Sequence, residues 1–162
     1  MYEGCPQQVC VIGTSTVHPA FSSRATAARP DIFAPCALGA IINDDTLKVF
    51  NVDIIVGGAN NQLLEPRHAK EVEARGILYG PDYLVNAGGL INVYAEIEGW
   101  PAERSLRKAG EIYNTLLRIL ELAEAEAITS AEAADRVAEQ RIAEVGYLHR
   151  TELGCLEYNS CP

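Results

Sequence analysis

Two short stretches hold the residue types best suited to binding chemistry. Gly57-Gly58-Ala59-Asn60-Asn61-Gln62 and Asn86-Ala87-Gly88-Gly89 each set a glycine pair beside asparagine. Glycine lets backbone come close to a ligand, and asparagine adds an uncharged donor and acceptor. Such parts suit a carboxamide, a ribose or the carboxylate of an amino acid. The competing explanation is that these asparagines only shape turns, because asparagine tolerates left-handed backbone.

The elements around them decide between the two. Val52-Asp53-Ile54-Ile55-Val56 precedes the first stretch and Ile77-Leu78-Tyr79 lies upstream of the second. Short β-branched runs halted by glycine read as buried strands. Asp31-Ile32-Phe33-Ala34 reads the same way, with Pro35-Cys36-Ala37-Leu38-Gly39-Ala40 as its outgoing loop. Between these strands, Asn43 caps a short helix running to Phe50. A second helix begins near Pro66, carries a Glu71–Arg75 pair and stops at Gly76. Strand and helix alternating in short units imply parallel strands with right-handed crossovers. In such sheets ligands bind beyond the carboxyl ends of the strands, where both asparagine-bearing stretches fall.

After Tyr83 the pattern turns helical. Leu90, Val93 and Ile97 share a face before Gly99-Trp100-Pro101 breaks the run. A long helix from Pro101 to about Ala127 is expected to bury Leu106, Ala109, Tyr113, Leu116, Leu117, Leu120 and Ala123. Thr129-Ser130-Ala131-Glu132 has the form of a capping box opening a last helix. Its stripe is Ala134, Val137, Ala138, Ile142 and Val145, and Gly146 is expected to end it.

Composition narrows the classes. At 162 residues and 48% hydrophobic, the chain can bury one real core. Its net charge of −9, with no basic run, argues against nucleic acid and anionic membrane surfaces as partners. No apolar run reaches the ~18 residues of a membrane span. The start lacks the pattern of a secretory signal, which makes cytoplasmic the expected location. The five cysteines, Cys5, Cys10, Cys36, Cys155 and Cys161, are odd in number and make no disulfide framework. Cys5/Cys10 and Cys155/Cys161 are spaced too widely for an ordinary four-thiolate zinc site, so no metal is expected. His18, His68 and His149 form no ligand-spaced pair and read as surface histidines.

Three blocks also carry a resemblance: Asp31 through Asp44, Gly57 through Gln62, and Pro81 through Val93. In sequence, order and spacing they resemble the glutamate/leucine/phenylalanine/valine dehydrogenase family, with the similarity running from Asp31 to Val145. The implied fold is α/β: a partial Rossmann-like cofactor domain of about three parallel strands, followed by C-terminal helices. Residues 1–30 are then an unmatched, poorly ordered segment in which only Val9–Ile12 is a candidate strand. Residues 146–162 are an unmatched tail.

The resemblance implies an NAD-dependent enzyme that oxidatively deaminates a branched-chain L-amino acid to its 2-oxo acid. It sets Gly58, Ala59, Asn60 and Asn61 beside the nicotinamide end of NAD, with Cys36 and Ala37 flanking from the neighbouring strand. Asn86 closes the other side of the cleft, where the start of a helix offers free N–H groups to negative charge. Gly89, Leu90 and Val93 fall at substrate-pocket positions, the alternative for the last two being plain helix core. The family's catalytic lysines and aspartate belong to a separate substrate domain, and its glycine-rich pyrophosphate turn lies upstream. No G-x-G-x-x-G occurs in these 162 residues, and Lys48, Lys70 and Lys108 do not correspond to the catalytic lysines. No catalytic residue is therefore assigned, and the chain alone is expected to be inactive. Alternatives are a non-catalytic remnant or interaction module, or one half of a split dehydrogenase. A homo-oligomer or a missing substrate-domain chain would supply the partner.

Overall fold

The computed structural model describes Val9–Ile12 and residues 31–157, with side chains for residues 31–147. The disorder expected of residues 1–30 otherwise lies outside the described residues, as do the last five positions. So do the side chains of His18, His149, Cys5, Cys10, Cys155 and Cys161.

Four parallel strands form one sheet: β1 (Val9–Ile12), β2 (Ile32–Pro35), β3 (Ile54–Ile55) and β4 (Leu78–Tyr79). Their order in the sheet is their order in the chain. Phe33 sits beside Ile55 and Ile55 beside Tyr79, so one continuous row of side chains crosses β2, β3 and β4. Helix α1 (Asp44–Val49) joins β2 to β3, and α2 (Arg67–Ala74) joins β3 to β4. These supply Leu47 and Val72 to a core with Phe33, Phe50, Val52, Ile55, Ile77 and Tyr79. The Phe33 and Phe50 rings meet at 5.0 Å with a tilt of 42°. Each large side chain so enclosed stabilises the fold by about 1.5–3 kcal/mol.

The helix ends follow local chemistry. Asn43 Oδ1 accepts from the N–H groups of Asp45 and Thr46, and Thr46 Oγ1 accepts from the N–H of Asn43. At the next helix the expected Glu71–Arg75 pair is replaced. Glu71 receives Arg67 at 2.6 Å, while Arg75 reaches across to the carbonyl of Leu47. A tertiary acceptor within reach outcompetes an exposed pair of the same helix, which stabilises by only a few tenths of a kcal/mol.

Beyond β4 come α3 (Asp82–Val85), α4 (Gly88–Ile97), α5 (Ala102–Glu126) and α6 (Ser130–Glu157). Thr129 and Glu132 form the expected capping box, with reciprocal bonds of 3.1 Å. A second core joins Ile119 of α5 to Ala133 and Ala134 of α6, with Leu84, Leu122, Ile128 and Val137 against it. The buried face of α5 matches the expected one only in part: Ala123 packs against this core, and Ala109, Leu116 and Leu120 are half-buried. Leu106 is 73% and Tyr113 67% exposed, whereas Ile119 is enclosed. The helix carries apolar residues on more than one side, and only contact decides which side faces inward. Gly146 does not end α6, which runs on to Glu157. Glycine lowers helix stability by about 1 kcal/mol but stops a helix only when the chain turns there. Among the described residues no helix is long and apolar enough to cross a membrane.

Candidate functional site

The loops after β2 and β3 are joined so closely that side chains are excluded between them. A Cβ at Gly57 would lie 2.2 Å from the carbonyl oxygen of Pro35. One at Gly39 would lie 2.7 Å from that of Asn60. Ala59 N–H donates to Pro35 at 2.9 Å, and Ala40 N–H donates to Asn61 at 2.7 Å. Ala40 and Asn61 both take positive φ, 56° and 51°, where the two loops meet. Asn61 thus has the turn-shaping role that its residue type allows. Gly58 stands in the open; a Cβ there would meet only Cys36 Sγ, at 4.0 Å.

Gln62 lies beneath this surface with no exposure. Its Nε2 donates to the carbonyls of Gly57 at 2.7 Å and Ala59 at 2.9 Å. The third loop reaches the same place, since the Gln62 N–H lies 3.4 Å from Asp82 Oδ2 and Asn86 Nδ2 donates to Asn60 Oδ1. Asn60 and Asn86, 26 residues apart, therefore meet as a bonded pair beyond the ends of β3 and β4.

Three N–H groups at this end already have backbone acceptors. The N–H groups of Asn86, Ala87 and Gly89 do not wait for an anion; they donate to Asp82, Leu84 and Asn86. The short helix α3 runs almost directly into α4 and consumes them. Leu90 and Val93 are not helix core either, being 74% and 54% exposed. Gly89 stands exposed beside them, with open space where a side chain would be. Cys36 and Ala37 are exposed at the end of β2, on the loop that meets Gly58.

Behind the loops, the start of α6 docks on β4. Ser130 Oγ donates to the Tyr79 carbonyl at 2.7 Å, and Tyr83 OH donates to Asp135 at 2.8 Å. Burial raises the ionisation range of both tyrosines, with Asp82 adding to it at Tyr79 and Asp135 at Tyr83. A cavity of about 430 Å³ lies between these elements, with Lys70 on its rim held by Glu132 at 3.1 Å.

A cluster at the start of α2 is not legible in the sequence pattern. His68 is fully buried rather than a surface residue. Its Nδ1 accepts from the Glu65 N–H at 3.0 Å, leaving Nε2–H to face Asp44 Oδ1 at 3.3 Å. Asp44, His68 and Glu71 cluster closely enough to suggest a metal site. Arg67 already bonds both Asp44 oxygens and Glu71, so the cation of this cluster is the guanidinium. Its hydrogen bonds hold the Asp44 carboxyl at about 2. No sequence spacing announces this cluster, because Asp44 and His68 belong to different helical units.

A parallel α/β sheet whose carboxyl-end loops converge on paired asparagines is a Rossmann-like fragment. Known relatives agree with that class and narrow it. The chain belongs to the Glutamate/Leucine/Phenylalanine/Valine dehydrogenase family, which matches residues 9–150. That match takes in Val9–Ile12 as well as the blocks from Asp31 onward. A leucine dehydrogenase of Thermoactinomyces intermedius is 46% identical over 140 residues, covering 86% of this chain and 37% of the relative. A valine dehydrogenase of Streptomyces coelicolor is 52% identical over 114 residues, covering 70% and 31%. The crystal structure of L-tryptophan dehydrogenase from Nostoc punctiforme superposes with a TM-score of 0.69 at 40% identity, covering 79% of this chain and 44% of that one. The chain thus spans less than half the length of each.

Proposed function

We propose that these residues form the nicotinamide side of the NAD site in an amino-acid dehydrogenase. The reaction is oxidative deamination of a branched-chain L-amino acid such as leucine. The Asn60–Asn86 pair carries this reading. Their mutual bond uses Asn60 Oδ1 and one Asn86 proton, leaving Asn60 Nδ2 and Asn86 Oδ1 for a ligand. A donor and an acceptor side by side complement the carbonyl and amino group of one carboxamide. Nicotinamide carries such a group, and when bound NAD supplies the hydride acceptor. Gly58, Ala59 and Asn61 complete that wall, with Cys36 and Ala37 flanking it.

Gly89, Leu90 and Val93 would line the substrate side, where apolar residues favour an aliphatic side chain over a charged one. None of the chain's own residues is assigned a proton transfer. The base and the carboxylate-holding group would come from a substrate domain. The apolar face of Leu90, Val93 and Ile97 supports a cover of that kind, since each is more than half exposed. An exposed apolar patch of this extent marks an interface.

Titration of the ¹⁵N-labelled chain with NAD tests the assignment. Shifts should concentrate at residues 36–37, 58–61 and 86. Affinity should be weak, near a Kd of about 1 mM (about −4 kcal/mol), because no glycine-rich turn grips the pyrophosphate. No response at those positions up to ~10 mM, an order above that Kd, would overturn it.

A further inference from the structure

We infer that Gln62 is the positioning residue of the Gly57–Asn60 ledge, and that it sets the direction of two backbone donors toward the ligand. This rests on the nicotinamide reading above and adds to it the residue that shapes the wall. Both Gln62 amide protons are committed, to Gly57 O and Ala59 O. The acceptors identify the buried nitrogen, because the oxygen of a reversed amide would face two carbonyls.

A trans peptide points its C=O and the following N–H in opposite directions. Turning the carbonyls of Gly57 and Ala59 inward to Gln62 therefore turns the N–H groups of Gly58 and Asn60 away from it. The ledge gains two outward donors, alternating with inward carbonyls, next to the Asn60–Asn86 pair. Each such donor can receive a ligand carbonyl or hydroxyl oxygen.

Few side chains could replace this amide. Glutamate has no protons to give when ionised, and serine or threonine has one. Asparagine has the two protons but is a methylene shorter. Gln62 Oε1 is buried and has no hydrogen-bond partner among the described residues. Leaving that acceptor unpaired opposes folding, and the two bonds donated by Nε2 offset the loss.

Gln62→Met keeps length and apolar volume while removing both donors, and separates positioning from stability. In hydrogen exchange, the core amides of Val56 and Gly80, bonded to Phe33 and Ile55, should keep their protection within about threefold. Those of Ala59 and Ala40, which join the loops, should exchange about tenfold faster or more. Nicotinamide mononucleotide, which needs no pyrophosphate turn, should shift Gly58 and Asn60 in the wild-type chain and not in the variant. Unchanged loop protection, or equal loss in loop and core, overturns the inference.

Gln62→Glu decides the matter if the methionine variant fails to fold. Protonation returns one donor to the carboxyl, so its loop protection should rise as pH falls. Protection in that variant that is independent of pH overturns the inference as well. A wild-type chain unresponsive to the mononucleotide would sink the nicotinamide reading, and the exchange measurements would still judge the clamp.

Discussion

The loops at the carboxyl end of the sheet and the helices α4 to α6 handle burial in opposite ways. In the loops, small and polar groups are packed backbone against backbone, and a wholly enclosed glutamine ties the carbonyls together. In the helices, large apolar residues face outward: Leu90, Ile97, Leu106 and Ile142 are each more than 70% exposed. The loop region is finished by its own contacts. The outer helix face has the composition of an inner surface, and its chemistry calls for a cover. Precision therefore resides where the cofactor is proposed to lie, and incompleteness where a substrate domain or second chain would pack.

The same substitution made in both regions gives the sharpest contrast. Gly57→Ala should cost the most, about 3 kcal/mol, because the new Cβ meets backbone of Pro35 that cannot swing aside. Urea denaturation, with Gly58→Ala as control, measures it. Gly58 meets only Cys36 Sγ at ordinary contact distance and should change stability by less than about 1 kcal/mol. Equal effects at the two positions would mean the loops are not welded together as described.

The helix face is tested by association. Light scattering over a dilution series should show self-association above the 17.5 kDa monomer, driven by the open stripe. Leu106→Glu should weaken it at least tenfold, about 1.4 kcal/mol, with the fold intact because Leu106 is exposed. Val137→Glu should instead disrupt the monomer, since Val137 packs on the Ile119–Ala133–Ala134 core. A chain that stays monomeric when concentrated would show that the face needs no second copy.

The contrast also separates what was legible in the sequence from what was not. Capping at Asn43 and Thr129 was readable because its partners lie three residues away. The parallel strands were readable from their β-branched runs, and Gly76, at φ 72°, from its place after α2. The roles of Gln62 and His68 were hidden. Each is a polar residue enclosed by the way its loop or helix turn folds, which residue type does not announce. Part of the inward face of α5 was hidden for a different reason. Leu106, Tyr113 and Leu117 have the same helical spacing as a core stripe, and periodicity records a face without naming its neighbour.

Gly110 offers the smallest effect and the most pointed one, because its sign should be reversed. It lies within α5, four residues after Leu106 and three before Tyr113, so it belongs to the same outer stripe. A Cβ there meets nothing within 4 Å. Alanine should therefore stabilise the monomer by about 0.5–1 kcal/mol, by restricting the unfolded chain and favouring the helix. The measurement belongs at high dilution, where copies do not associate and only propensity is read. At higher concentration the added methyl acts in a second way. If a partner helix approaches closely over the gap at Gly110, Gly110→Ala should weaken association while strengthening the helix. A loss of stability in the dilute monomer would instead mean that something within the chain already covers this position. The outer face of α5 would then be a finished surface like the loops, and the division between the two regions would fail.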